Sequence, residues 1–196
     1  MLVSELNHRV KNTLATVHSI ALQTLRHTPD MGKFRDAFVS RLRALSTAHD
    51  LLAKESWRGV SLADLAGAEL APYRADNGAH AQLVGEDLHL DAKTGLALSL
   101  ALHELATNAG KYGAFTRSEG RVTLEWTTFE RDDQRWLRMV WTESGGPEVM
   151  APGSRGFGSR LLTEGVGYEL GGDVSLEFPR SGVVCTITVP LKDARS

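Results

Sequence analysis

Between Leu2 and His27 the apolar residues Leu6, Val10, Leu14, Val17, Ala21 and Leu25 recur every three or four positions, the spacing of one face of an α-helix. The breaker cluster at residues 28–32 (Thr-Pro-Asp-Met-Gly) interrupts this pattern and marks a turn. A second helical stripe follows, through Phe34, Phe38, Leu42, Leu45, Ala48 and Leu52. Two long helices joined by a short loop predict an antiparallel hairpin. Such a hairpin buries one stripe internally and needs another hairpin or a neighbouring domain to finish its core, and a four-helix bundle made by two chains is the natural solution. The helical pattern stops at Trp57, Arg58 and Gly59, which places a predicted boundary between a hairpin at 1–57 and a second domain at 58–196.

In the second domain, residues 62–70 read as a short helix with Ser61 as N-cap and Pro72 closing it. Two short strand-like pieces lie in 80–90, separated by Gly85, Glu86 and Asp87. Asp91 then caps a long helix that runs to about 114. Residues 121–129 alternate, with Val122, Leu124 and Trp126 on one side, and a polar turn at 131–133 leads to a strand at 136–143. A Gly- and Pro-rich loop covers 144–158, and a helix is expected at 159–170, ending at Gly171 and Gly172. A strand through Val174, Leu176 and Phe178 and a last strand at 183–191 finish the chain. The expected class is α+β: a helical hairpin followed by a sheet with helices on one face.

At 196 residues, 42% hydrophobic and 23% charged, the composition is that of an ordinary globular protein with a sizeable core. A formal net charge of −2 gives no long-range attraction to nucleic acid or to an anionic membrane, so neither is an expected partner. The single cysteine, Cys185, rules out an internal disulfide and a cysteine zinc cluster and fits a cytoplasmic setting. No window has the length of a membrane span, and the first residues lack a signal-peptide pattern. Helical pattern begins at about Leu2, which suggests a fragment of something longer whose upstream part is absent.

The richest stretch for chemistry is 102–114, LHELATNAGKYGA. Glu104, Asn108 and Lys111 stand at i, i+4 and i+7, with Leu98, Ala101, Leu105 and Ala109 forming an apolar stripe elsewhere on the same helix. One reading is a solvated polar face. The other is a metal and phosphate site, since Mg²⁺ takes few protein oxygens besides substrate phosphates and a lysine adds a point charge. His8 lies roughly 170° from the apolar stripe of the first helix, among Glu5, Arg9, Lys11 and Asn12, where a neutral imidazole can attack phosphorus. Glu143, ending a strand before Ser144, Gly145, Gly146 and Pro147, offers an acceptor at the mouth of a sheet, or else an ordinary turn. Arg155, Gly156, Phe157, Gly158 and Ser159 precede a helix, as in a phosphate-binding turn, although a single Gly-x-Gly mostly marks a turn.

Together these pieces resemble the HWE family of bacterial sensor histidine kinases over nearly the whole chain. Residues 5–12, ELNHRVKN, are similar to that family's phosphoacceptor box; 103–113, HELATNAGKYG, to its N box; Trp141 and Glu143 to its Trp-x-Glu pair; and 155–159 to its glycine box. The resemblance implies a Bergerat-type ATP-binding domain, related to the GHKL ATPases, with ATP and Mg²⁺ as cofactors. Asn108 would then be the Mg²⁺ ligand, Glu104 a catalytic contact to metal-bound water, and Lys111 and Tyr112 nucleotide contacts. Glu143 would accept from the adenine amino group, Gly145 and Gly146 would shape the pocket, and Arg155 through Ser159 would flank the triphosphate. His103 is carried as a hallmark residue. The implied activity is autophosphorylation of His8 followed by transfer to a response-regulator receiver domain, in a probable homodimer with monomer as the alternative, and with a sensory domain upstream. The rival is a GHKL-type ATPase or protein serine kinase that uses the hairpin only to dimerise.

Overall fold

In a computed structural model the chain is described over residues 2–27, 30–55, 57, 59–74, 80–149, 162 and 166–192, with the side chains of 2–9, 27 and 168 outside that description. It divides into two compact units, Met1–Arg43 and Ala44–Ser196. The first unit holds helix α1 (Leu2–His27) and the opening turns of α2 (Met31–Lys54). Ile20 and Thr24 of α1 and Arg41 of α2 are buried there. The Thr24 hydroxyl donates to the Ile20 carbonyl (2.6 Å) and accepts from an Arg41 guanidinium N–H (3.0 Å), a polar cross-link between the helices. The predicted apolar stripe of α1 is only partly used: Val10 is 49% exposed, Leu14 62% and Leu25 53%. The stripe is wider than the strip occupied by Ile20 and Thr24, so its outer residues remain in solvent.

The second unit begins inside α2. Ala48 and Leu52 belong to its core, so packing divides the chain before the end of the helix, whereas the loss of helical periodicity marks only where the helix stops. Strand β1 (Val60–Ser61) pairs antiparallel with β3 (His89–Leu90). Helix α3 (Leu62–Leu70) starts with the Ser61 hydroxyl accepting from the Asp64 N–H (3.4 Å), and Pro72 sits in the 3-10 turn Ala71–Tyr73 that follows. Helix α4 (Ala92–Lys111) is capped by Asp91, whose carboxylate accepts from the N–H groups of Lys93 and Thr94 and from the Thr94 hydroxyl (2.6 Å). A β-carbon at Gly95 would come within 2.5 Å of Val60 Cγ1, so only glycine lets α4 approach β1 this closely.

A five-stranded mixed sheet forms the other layer, in the order β2-β4-β5-β7-β6. It comprises β2 (Ala81–Gly85), β4 (Arg121–Arg131), β5 (Gln134–Ser144), β6 (Asp173–Glu177) and β7 (Val184–Pro190); β2 pairs parallel with β4, and the rest are antiparallel. The two strand pieces read from 80–90 therefore join different sheets. Alternation sends Val122, Leu124, Trp126, Leu137, Met139, Trp141, Cys185, Ile187 and Val189 to one face, where they pack with Leu65, Leu98, Leu102 and Leu105 of the helices. The helix expected at 159–170 is described only at its end, as the turn α5 (Tyr168–Leu170) with Gly171 in the left-handed conformation; residues 159–161 and 163–165 lie outside the described residues.

A buried carboxylate links the two helices. Glu69 of α3 accepts from the Ser99 hydroxyl (2.9 Å) and from His103 Nδ1–H (3.0 Å), both on α4. Removing it takes away two hydrogen bonds between the helices, so Glu69→Ala is expected to cost about 2 kcal/mol, and Ser99→Ala about 1 kcal/mol, in urea unfolding. A loss for Glu69→Ala below about half a kcal/mol would remove the link from the account.

His49 packs edge-on to Trp57 (ring centroids 5.1 Å), and its Nε2 is buried with no hydrogen-bond partner among the described residues. Burial lowers its pKa below the ordinary 6.5, against a smaller opposing pull from Asp50. The folded protein thus holds this proton less tightly than the unfolded chain, and the stability His49 contributes is present above pH 6.5 and lost as pH falls through the folded-state value. Thermal unfolding of His49→Phe between pH 7 and 5 should fall less steeply than that of the unmutated protein; parallel curves would contradict this.

Candidate functional site

Helix α4 buries 11 of its 20 residues, Ala97 and Glu104 among them. The polar face expected from spacing is therefore split: Glu104 is 7% exposed, whereas Asn108 and Lys111 stand in solvent near the C-terminal end. The helix packs with α3 and with the sheet over a wide arc, and Glu104 falls on its margin. Tyr112 ends the helix, 75% exposed, with its N–H directed to the Asn108 carbonyl (2.8 Å). His103 is turned to Glu69 of α3, away from the role of a nucleotide contact and toward holding the helix.

Glu143 is the next-to-last residue of strand β5, on the inward face, and is 4% exposed. Its Oε2 accepts from the Ala114 N–H (2.9 Å), the first residue of the 3-10 turn Ala114–Thr116, and its Oε1 accepts from the Trp141 indole N–H (3.2 Å). Burial pushes the Glu143 carboxyl above its ordinary range, and the Ala114 amide and Trp141 indole pull it back. Glycines make the fit possible. A β-carbon on Gly113 would overlap Glu143 Oε2, and one on Gly146 would come within 2.9 Å of Ala114 Cα. Gly145 has φ +68°, in the left-handed region that glycine adopts without strain.

The structure thus brings Glu143, Gly145 and Gly146 to the turn that follows α4, beside the helix end that carries Asn108, Lys111 and Tyr112. Arg155, Gly156, Phe157, Gly158 and Ser159 lie outside the described residues, as does the side chain of His8, whose backbone is helical in α1. Sequence reasoning missed Glu69 and the Ala114 amide. A signal for Glu69 existed: it sits three and four residues after Ala66 and Leu65, on the buried side of α3, where an acid needs donors. A backbone amide leaves no such trace in side-chain identity.

The donor set bears on cofactors. Among the described residues no group of three or more His, Cys, Asp or Glu could cage a metal. An exposed carboxamide at Asn108 suits a hard ion held mainly by phosphates and water, the habit of Mg²⁺, and does not suit zinc. No helix among the described residues is long and apolar enough to cross a membrane.

A family model described as HWE histidine kinase matches residues 5–87. The blue-light-activated histidine kinase of Brucella ovis is 42% identical over 187 residues, covering 95% of this chain and 38% of that protein. That of Brucella anthropi is 40% identical over 191 residues, covering 97% and 39%. The chain thus spans well under half the length of these curated relatives. In fold it is similar to the blue-light activated histidine kinase of Erythrobacter litoralis EL346 (TM-score 0.69, 21% identity, 97% of this chain and 59% of that one) and to the separate histidine kinase domain of the same protein (TM-score 0.62, 19% identity, 79% and 74%). The chain belongs to the HWE histidine kinase family.

Proposed function

We propose that this chain is the kinase core of a sensor histidine kinase that binds Mg·ATP in its second unit, phosphorylates its own His8, and passes the phosphoryl group to a response-regulator aspartate. The observation that carries the reading is the buried Glu143 carboxylate, held by two donors at a glycine-lined turn next to the Asn108 end of α4. An acceptor fixed in a sheltered site suits the amino group of adenine. Asn108 would hold Mg²⁺, with Glu104 toward its water shell and Lys111 toward the phosphates; the ion would supply neutralisation of phosphate charge.

In the transfer, the Nε2 lone pair of a neutral His8 attacks the γ-phosphorus, the bond to the β,γ-bridging oxygen breaks, and ADP leaves with that electron pair. The imidazole then sheds a proton to restore neutrality. Arg9 cannot accept it, and Glu5 lies one helical turn away. His8 and the nucleotide site belong to different units, so the hairpin has to present its histidine to an ATP domain, its own or a partner's. Val10, Leu14, Leu22 and Leu25, all exposed on α1, support a homodimer through the hairpin.

The test is incubation with γ-labelled ATP. The protein should acquire acid-labile, base-stable label that is lost in His8→Gln and reduced at least about tenfold in Asn108→Ala, the scale of one charge-assisted contact. Label that survives His8→Gln, label on serine, or ATP turnover without labelled protein would overturn the assignment.

A further inference from the structure

The indole nitrogen of Trp141 holds Glu143 without touching nucleotide in the proposed chemistry, and its part in base selection is separate from that of the acid. Trp141 and Glu143 are two residues apart on β5, so both point to the inner face, and Trp141 is 1% exposed. Its cross-strand neighbours are Leu124 and Cys185, and that of Glu143 is Val122, none of which offers a side-chain donor to a carboxylate beyond a buried thiol. Burial pushes that thiol up to about 12, so it stays neutral. The Ala114 amide engages only Oε2. Among the described residues the indole N–H is the one group holding Oε1.

A carboxylate with a single donor can pivot about it, whereas one with a donor on each oxygen is fixed in plane. Each oxygen has lone-pair capacity for a further hydrogen bond beyond the one it accepts here. We propose that Trp141 is a positioning residue for base recognition: its indole N–H fixes the Glu143 carboxylate so that the remaining lone pairs select a purine bearing a 6-amino group and reject one bearing a 6-oxo group. This rests on the reading of Glu143 as the base contact. A 6-amino group donates to the fixed oxygens; a 6-oxo group in the same place sets a second acceptor against them, so that this contact is lost. Burial pushes this carboxyl up, and the amide and the indole each act against that push.

The experiment compares equilibrium binding of Mg·ATP and Mg·ITP, the 6-oxo analogue, to the unmutated chain, Trp141→Phe and Glu143→Ala, with thermal unfolding as the control for fold. The unmutated chain should prefer ATP by at least about tenfold, the scale of a hydrogen bond to a charged group. Trp141→Phe should weaken ATP about tenfold and leave ITP within about twofold, so that the preference collapses. Equal weakening of both nucleotides, or an unchanged preference, would overturn the proposal and make Trp141 a packing residue. Should Trp141→Phe fail to fold, benzothienylalanine at position 141, which keeps the bicyclic ring and lacks the N–H, carries the same expectation. No preference in the unmutated chain, or a preference retained in Glu143→Ala, would instead overturn the reading of Glu143 and the proposal with it.

Discussion

A carboxylate taken out of water must be met by hydrogen-bond donors, and in this chain that requirement is satisfied by segments far apart in sequence. Glu69 draws its donors from Ser99 and His103, which ties α3 to the middle of α4. Glu143 draws its donors from Trp141 and from the amide of Ala114, which ties the end of β5 to the turn after α4. One buried acid thus holds the helix from its side and the other holds the turn at its end. Between them, α4 is held in a definite rotation, and Asn108 and Lys111 are left exposed near its C-terminal end.

The hairpin unit follows a different rule. Its polar cross-link, Arg41 to Thr24, sits where the two helices meet, and a buried arginine of this kind favours one helix register over its neighbours. Outside that contact Val10, Leu14, Leu22 and Leu25 of α1 lie open to solvent. A helix that spends its apolar stripe this way has surface left for a second helical pair, which is what the proposed dimer requires.

Much of the fold was legible because periodicity and caps agree with it. Ser61 and Asp91 start the helices where their side chains predict, and the alternation of Val122, Leu124 and Trp126 faces the core. Pairing was less legible: nothing in Ala81–Gly85 and His89–Leu90 says that adjacent strand pieces join separate sheets, because strand partners are set by tertiary packing. The types of residue at the candidate site were readable as motifs, but their surroundings were not. Spacing grouped Glu104 with Asn108 and Lys111, and only packing separates the buried acid from the two exposed groups. In the same way Trp-x-Glu is a pattern in sequence, while the hydrogen bond from the indole to the carboxylate is a fact of the folded strand.

The central claim, that an adenine nucleotide sits at the turn after α4, is tested most directly by titrating a non-hydrolysable ATP analogue with Mg²⁺ into isotope-labelled protein and following amide and indole resonances. The account predicts that the largest shifts fall on Gly113, Ala114, the Trp141 indole, Gly145 and Gly146, with Asn108 responding to the metal. Shifts confined to the opposite, outward face of the sheet, or no saturable shift at all, would contradict it.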